Sequence, residues 1–334
     1  MIVEFLLIFI GALAMISLVR SYAPKIGLID IPNDRSAHAQ HTPRGAGIGF
    51  YLSIALIIPL FHFDLIRAYP WTFLAVLLVF IVGVLDDHHD TSPKAKLIVI
   101  LIGAFLLSFD HIVIDKLGTV FGVPMSLGWL AIPFTLFAVT GFTNALNLID
   151  GLDGLAGTVS IVILGSFMAV GYLNNDLFMI VIAGSFIASL SAFLIFNWHP
   201  ASIFMGDSGS LTLGFVISVL AIKSLAYLPT VSVLFIAALP ILDTLVVMMR
   251  RKLNGRSIFS ADKCHIHHIL KRSFKKNIRK TVLFLGALQL IYALLGLQID
   301  KKTDEGFLLI LFLLNVIVVY FFLGRMVKKQ QCNC

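Results

Sequence analysis

Three groups of acidic residues lie where apolar stretches of the chain end: Asp86 with Asp87, Asp150 with Asp153, and Asp207. A carboxylate held in hydrocarbon is costly, so acids gathered at the ends of membrane spans mark a site, one suited to a hard cation and a phosphorylated ligand. Asn144, Asn147, Asp150 and Asp153 recur every three residues, which on a helix lines them along one face, and Gly151 and Gly154 then break the helix. Hydrogen bonds between helices would account for the asparagines but poorly for the two aspartates. The run Asp86-Asp87-His88-His89-Asp90 is followed by Lys94 and Lys96. Adjacent carboxylates can orient metal-bound phosphates while a lysine supplies compensating charge; the plainer reading is a solvated polar turn. Asp207 precedes a helix among small residues, a setting for a metal ligand. Phe204 offers a base an aromatic face or simply packs in the interfacial belt.

Two basic segments complete the set. From Asp34 to Gly49, Arg35, His38 and Arg44 stand beside a glycine-rich helix start that could hold phosphate, unless the arginines only fix topology. From Arg250 to Lys280 the chain carries Arg256 and the cluster His265-Ile-His267-His268. No Cys or His partner recurs there at a zinc-finger spacing, so hydrogen bonds to phosphate or sugar oxygens suit these histidines better. Asp243 is the one acid well inside a span, where it would pair with a neighbour or orient this loop. Cys264, Cys332 and Cys334 receive no disulfide or metal role in this reading.

The elements that position these residues must be membrane helices. Apolar residues make up 59% of 334 positions and charged residues only 13%, with 28 phenylalanines, far more than one soluble core needs. A hydrocarbon core of ~30 Å takes about 20 apolar residues per helix. Eleven such stretches recur at 2–19, 46–63, 70–85, 96–114, 128–149, 155–173, 177–197, 208–225, 229–249, 281–298 and 306–324. The expectation is an all-α polytopic membrane protein, one domain over 1–334, with 250–280 as a recognition loop. His111 to Met125 alternates apolar positions and is compatible with a small outer-face hairpin. The first span lacks a preceding basic residue and a cleavage site, so it reads as a retained helix. Twenty of the 25 Lys and Arg residues follow odd-numbered spans, which predicts an external N-terminus, a cytoplasmic C-terminus and acids that all face the cytoplasm. The net charge of +7 is thus first a topology signal and then an attraction for anionic lipid or nucleotide; nucleic acid is not an expected partner.

Taken together, Asp86-Asp87, Asn144 to Gly154, Phe204-Met-Gly-Asp207-Ser-Gly-Ser and the run from Arg256 to His268 resemble the polyprenyl-phosphate N-acetylhexosamine-1-phosphate transferases, in particular their WecA-like bacterial branch. The likeness covers nearly the whole chain. It implies transfer of a sugar 1-phosphate from a UDP-N-acetylhexosamine to undecaprenyl phosphate at the cytoplasmic side of the bacterial inner membrane, releasing UMP and starting a cell-envelope glycan. It implies Mg²⁺, with Mn²⁺ as a substitute, held by Asp207 and Asn147. Asp153 and Phe204 would hold uracil, and Lys96 with His265, His267 and His268 would contact phosphates and sugar. Asp86, Asp87 and Asp150 take catalytic roles, while Arg35, His38, Arg44, Asn144 and Arg256 bind substrate. Transferases that use UDP-MurNAc-pentapeptide resemble the chain too, but carry three consecutive histidines where this one has His-Ile-His-His, which favours UDP-GlcNAc. A homodimer is compatible with the sequence. An ion-coupled transporter is the alternative from another class; acids at one face and the lack of an internal repeat argue against it.

Overall fold

Within lipid every backbone polar group must be satisfied inside its own segment, and helices are the simplest means. The structure, a computed structural model, describes residues 1–30, 41–257 and 264–329. Its α-helices are α1 (Ile2–Tyr22), α2 (Ala46–Phe61), α3 (Phe63–Ala68), α4 (Pro70–His89), α5 (Pro93–Leu106), α6 (Ala131–Ile149), α7 (Leu155–Leu173), α8 (Leu177–Asn197), α9 (Asp207–Ser224), α10 (Thr230–Ile236), α11 (Ala238–Leu253), α12 (Ile266–Ser273), α13 (Ile278–Leu297) and α14 (Glu305–Lys329). Seven of the described helices are long and apolar enough to cross a membrane, and the bent pair α10–α11 makes an eighth if it is one span. The chain is an all-α, multi-pass membrane protein.

Two expected spans differ in shape. The stretch 96–114 is helical only to Leu106, because a 3-10 turn over Leu107–Asp110 ends in His111 with a left-handed φ of 57°. The stretch 229–249 is not one straight helix: α10 and α11 meet at 87° around Ala237.

Helix α9 forms the hub of the bundle. It packs against α2, α4, α6, α7 and α8, and every residue from Ser208 to Leu220 is buried. Its serines and threonines are tolerated there because their hydroxyls bond back along the helix, as Thr212 Oγ1 does to the Ser208 carbonyl at 2.7 Å and Ser218 Oγ to that of Gly214 at 2.8 Å. Helix α4 brings one face to it: Thr72, Ala75, Val79 and Gly83 are buried while Leu74, Leu77, Ile81 and Leu85 are exposed. Continued by one turn, that buried face delivers Asp86 and Asp87 to the first turn of α9. Helix α5 begins sharply because Ser92 accepts from the Ala95 N–H and Pro93 occupies the first helical position, which sets Lys96 within the opening turn.

Two small ribbons join the helices. Strand β1 (Ile29–Asp30) pairs antiparallel with β2 (Thr42–Pro43), Ile29 opposite Pro43. The hairpin expected within 111–125 is present as β3 (Lys116–Val120) and β4 (Val123–Ser126), turning through Phe121 and Gly122, both at positive φ. Asp304, just before α14, accepts both turn N–H groups at 3.0 and 2.7 Å and anchors the hairpin.

The α4–α9 crossing leaves no room for a side chain at Gly83, where a Cβ would lie 2.6 Å from the Asp207 carbonyl and the Ser208 Cα. Those neighbours are backbone and cannot rotate aside. Gly83→Val should therefore destabilise the protein by about 3 kcal/mol or more, at the upper end of overpacking costs. Thermal unfolding in detergent reads this directly, and an unchanged melting temperature would mean that the helices do not cross at this point.

Candidate active site

The ends of α4, α6 and α9 enclose a cleft of about 330 Å³ lined by Asp86, Asp87, Asp150, Asp153 and Asp207 together with Arg44, Asn147, Phe204 and His268. Carboxylates gathered in so small a space repel one another unless cations and N–H donors separate them. Lys96 Nζ sits between two of them, 3.1 Å from Asp86 Oδ2 and 2.8 Å from Asp207 Oδ2. Thr91 donates to the other oxygen of Asp86 at 2.7 Å. Asn147 Nδ2 donates to Asp207 Oδ1 at 2.9 Å and to Ser210 Oγ at 2.8 Å.

The paired aspartates have different surroundings. Asp87 is 2% exposed and accepts the backbone N–H groups of Asp207 at 2.7 Å and Ser208 at 3.1 Å, and the Ser208 hydroxyl. These are opening N–H groups of α9 that no helical carbonyl can reach, so Asp87 caps that helix and also complements its dipole. The approach depends on Gly206, which has φ 74° and whose Cβ would meet the Asp87 carboxylate at 2.5 Å. Asp86 reaches toward the cleft with Lys96 and Thr91 as partners.

Helix α6 ends at Ile149, so Asp150 and Asp153 sit on the following loop rather than on a helical face. Asn144 does not join them: it is exposed on α6 and outside the cleft lining. Three-residue steps fall short of a helical turn of about 3.6 residues, and the stripe rotates away from the cleft. Burial, and then the charges of Asp207, Asp87 and Asp153, push the Asp150 carboxyl up to about 7. Asp153 Oδ2 meets His199 Nδ1 at 2.6 Å and accepts the Ala201 N–H at 3.1 Å. Asn197 ties the two loops together, accepting from Gly154 N–H at 2.7 Å and donating to the Ile203 carbonyl at 2.9 Å. Phe204 is placed by its backbone, donating to the Pro43 carbonyl at 2.8 Å and accepting from Ala46 at 3.0 Å, which brings it beside Arg44. Arg44 itself pairs with Asp90 at 3.2 Å.

The histidines divide as well. Asp243, 1% exposed on α11, accepts from Ile266 N–H at 2.6 Å and pairs with His265 Nδ1 at 2.7 Å, so His265 faces α11 and not the cleft. His267 is buried against Gly151, with neither ring nitrogen hydrogen-bonded. His268 lines the cleft. Burial pushes His267 down to about 3 and His268 to about 4, so both rings are neutral at physiological pH. Arg256 is exposed away from the cleft, and Arg35 and His38 lie outside the described residues. Cys264 is buried and disulfide-bonded, which corrects the expectation of an unpaired thiol.

Among the described residues no group of three or more His, Cys, Asp or Glu could hold a metal by itself. Asp207 beside Asn147, with Lys96 already drawn between two carboxylates, nevertheless fits Mg²⁺, which commonly takes one or two protein ligands and completes its shell with water and substrate phosphate.

A family model described as glycosyl transferase family 4 matches residues 69–225, the segment that supplies Asp86, Asn147, Asp153 and Asp207. A Bacillus subtilis (strain 168) protein named probable undecaprenyl-phosphate N-acetylglucosaminyl 1-phosphate transferase is 32% identical over 325 residues, covering 94% of this chain and 89% of that relative. The undecaprenyl-phosphate alpha-N-acetylglucosaminyl 1-phosphate transferases of Yersinia pestis and Escherichia coli (strain K12) are 32% and 31% identical, each over 96% of this chain and over 91% and 89% of their own lengths. The chain belongs to this transferase family.

Within this family member, motif reading passes over several residues that line the cleft or hold those that do. Thr91 and Ser210 hold Asp86 and Asn147, and His199 holds Asp153. Ser210 could have been found from spacing, since it lies three residues after Asp207 on the same helix. Asp30 lines the cleft from β1, far away in sequence and without a local signal.

The elevated Asp150 carboxyl has a consequence for stability. An unfolded aspartate titrates near 3.8 and the folded one near 7, so the folded state binds the extra proton. Its contribution is fully present below about pH 4 and is lost as pH rises through 7. In chelator-treated, metal-free detergent solution the melting temperature should fall between about pH 5 and 8, and Asp150→Asn should flatten that slope. Equal slopes in the two proteins would show that Asp150 ionises normally.

Proposed function

We propose that the protein transfers N-acetylglucosamine 1-phosphate from UDP-GlcNAc to undecaprenyl phosphate, producing undecaprenyl-diphospho-GlcNAc and UMP at the start of a cell-envelope glycan. The observation that carries the reading is the cluster of Asp86, Lys96, Asn147 and Asp207 at the ends of membrane helices in a chain of this family. The names of the relatives support the lipid acceptor and the sugar, and do not favour a UDP-MurNAc-pentapeptide donor. The whole chain 1–334 acts as one transferase domain, with 250–280 serving sugar recognition. It lies in the bacterial inner membrane with eleven crossings, an external N-terminus and the cleft facing the cytoplasm, a topology supported by the distribution of twenty of its 25 Lys and Arg residues.

The lipid phosphate is mostly a dianion at neutral pH, because a phosphate monoester has its second pKa near ~6. Deprotonation is therefore a minor problem and repulsion a major one: the nucleophile and the donor diphosphate are both anions. Lys96 and Arg44 reduce that repulsion, and Mg²⁺ held by Asp207 and Asn147 would neutralise further charge and help hold the donor's diphosphate. Asp86, with one oxygen on Thr91 and the other on Lys96, orients the incoming phosphate and accepts a proton only when the monoanion binds. A lipid phosphate oxygen attacks the donor's β-phosphorus; the new P–O bond forms as the bond to the bridging oxygen breaks, and that electron pair leaves on UMP. Asp87 is a positioning residue, since it holds the first turn of α9 and with it Asp207. Asp153 and Phe204 receive uracil, and neutral His268 hydrogen-bonds to the sugar phosphate.

UMP release in detergent with UDP-GlcNAc and lipid phosphate tests the assignment. Asp207→Asn should abolish turnover and Mg²⁺-dependent donor binding while the melting temperature stays close to wild type; near-normal turnover would remove Asp207 from the site. Asp86→Asn should recover part of its lost rate as pH rises from about 6 to 8, across the titration of the phosphate itself. A deficit constant over that range would assign Asp86 a different role.

A further inference from the structure

The break between α10 and α11 leaves backbone groups without a helical partner inside the bundle where water does not reach, among them the Ile236 carbonyl, whose helical donor would have been the N–H that Pro240 lacks, and the Leu239 N–H. Both are met by one side chain from α13. Gln289, fully buried, donates from Nε2 to the Ile236 carbonyl at 2.6 Å and accepts from the Leu239 N–H on Oε1 at 3.0 Å. Helix α13 also approaches α10 closely, since a Cβ on Gly296 would lie 2.8 Å from the Ser232 carbonyl.

We propose that Gln289 is a positioning residue that sets the angle of α11 and, through α11, presents the histidines of α12 to the cleft; this rests on the donor-binding role proposed above. The linkage is short. Leu239 lies one helical turn, about 6 Å, before Asp243. Asp243 holds His265 and the first N–H of α12, and two turns further on Arg250 Nη2 grips the Cys264 carbonyl at 2.8 Å. Helix α12 is thus fastened to α11 at both ends of its entry segment, with His267 against Gly151 and His268 in the cleft. An amide is the side-chain group suited to this bridge, because it offers a donor and an acceptor without charge. Leucine fills a similar volume and offers neither.

The test uses the full chain in detergent and two variants. Gln289→Leu should raise the KM for UDP-GlcNAc roughly tenfold, as expected when buried backbone groups lose their partners and the element they hold shifts. Its kcat should change less, and amide exchange over 266–273 should accelerate. Gln289→Glu separates hydrogen bonding from packing: a buried carboxylic acid is neutral at low pH and reproduces both bonds. That variant should match wild type near pH 6 and lose donor affinity as pH rises toward 9, with each value taken relative to wild type at the same pH. If Gln289→Leu leaves KM and α12 exchange at wild-type values, or if Gln289→Glu follows the wild-type pH profile throughout while Gln289→Leu folds and binds normally, the proposal is wrong. A wild-type protein that releases no UMP would instead overturn the transferase reading, and the exchange measurement would still decide whether Gln289 controls α12.

Discussion

One carboxylate joins the membrane bundle to its chemistry. Asp87 ends the buried face of α4 and accepts the first N–H groups of α9, so the start of the most deeply buried helix is defined by a side chain from its neighbour. Without that cap the opening N–H groups of α9 would be unsatisfied at the edge of hydrocarbon, and the turn that carries Asp207 would lose its anchor. Small residues make the contact available: the α4–α9 crossing is too close for any side chain at Gly83, and Gly206 lets the chain turn beneath the carboxylate. Packing, capping and the placement of Asp207 are therefore one constraint.

Charge is the second organising feature. Asp86 and Asp207 share Lys96, Asp153 is held by His199, and Asp87 by backbone N–H groups, leaving Asp150 with desolvation and like charge and, among the described residues, no cation paired with it. A cleft in that condition favours ligands that bring positive charge or accept a proton, which suits a metal-bound diphosphate. The histidines work differently. Burial holds His267 and His268 in the neutral form, while the nearby lysines and arginines carry the positive charge.

Much of this was legible from residue types alone. Apolar runs longer than a soluble helix needs, carboxylates at their ends and the bias of Lys and Arg together determine a multi-pass helical protein with a polar site at one face. The hairpin at 116–126 was visible in alternation, and Asp243, an acid inside a span, announced its need for a partner. These features depend on local spacing and on the cost of charge in lipid, both of which a linear sequence contains.

Other features belong to tertiary structure because they depend on angles and on distant neighbours. Spacing treated Asp86 and Asp87 as equivalent; only the direction in which α4 presents each one separates a cleft carboxylate from a helix cap. Asn144 fits the three-residue pattern yet points away, since a helix turns every 3.6 residues and the loop after Ile149 follows no helical repeat. The 87° break at Ala237 has a local cause in Pro240, which lacks the N–H that would bond the Ile236 carbonyl, but the partner that replaces it, Gln289, is some fifty residues away. Asp30 and His199 enter the site through a two-residue ribbon and a loop contact. The sequence by itself determined which residues could not be left in lipid without partners, and the tertiary structure decided which partner each one received.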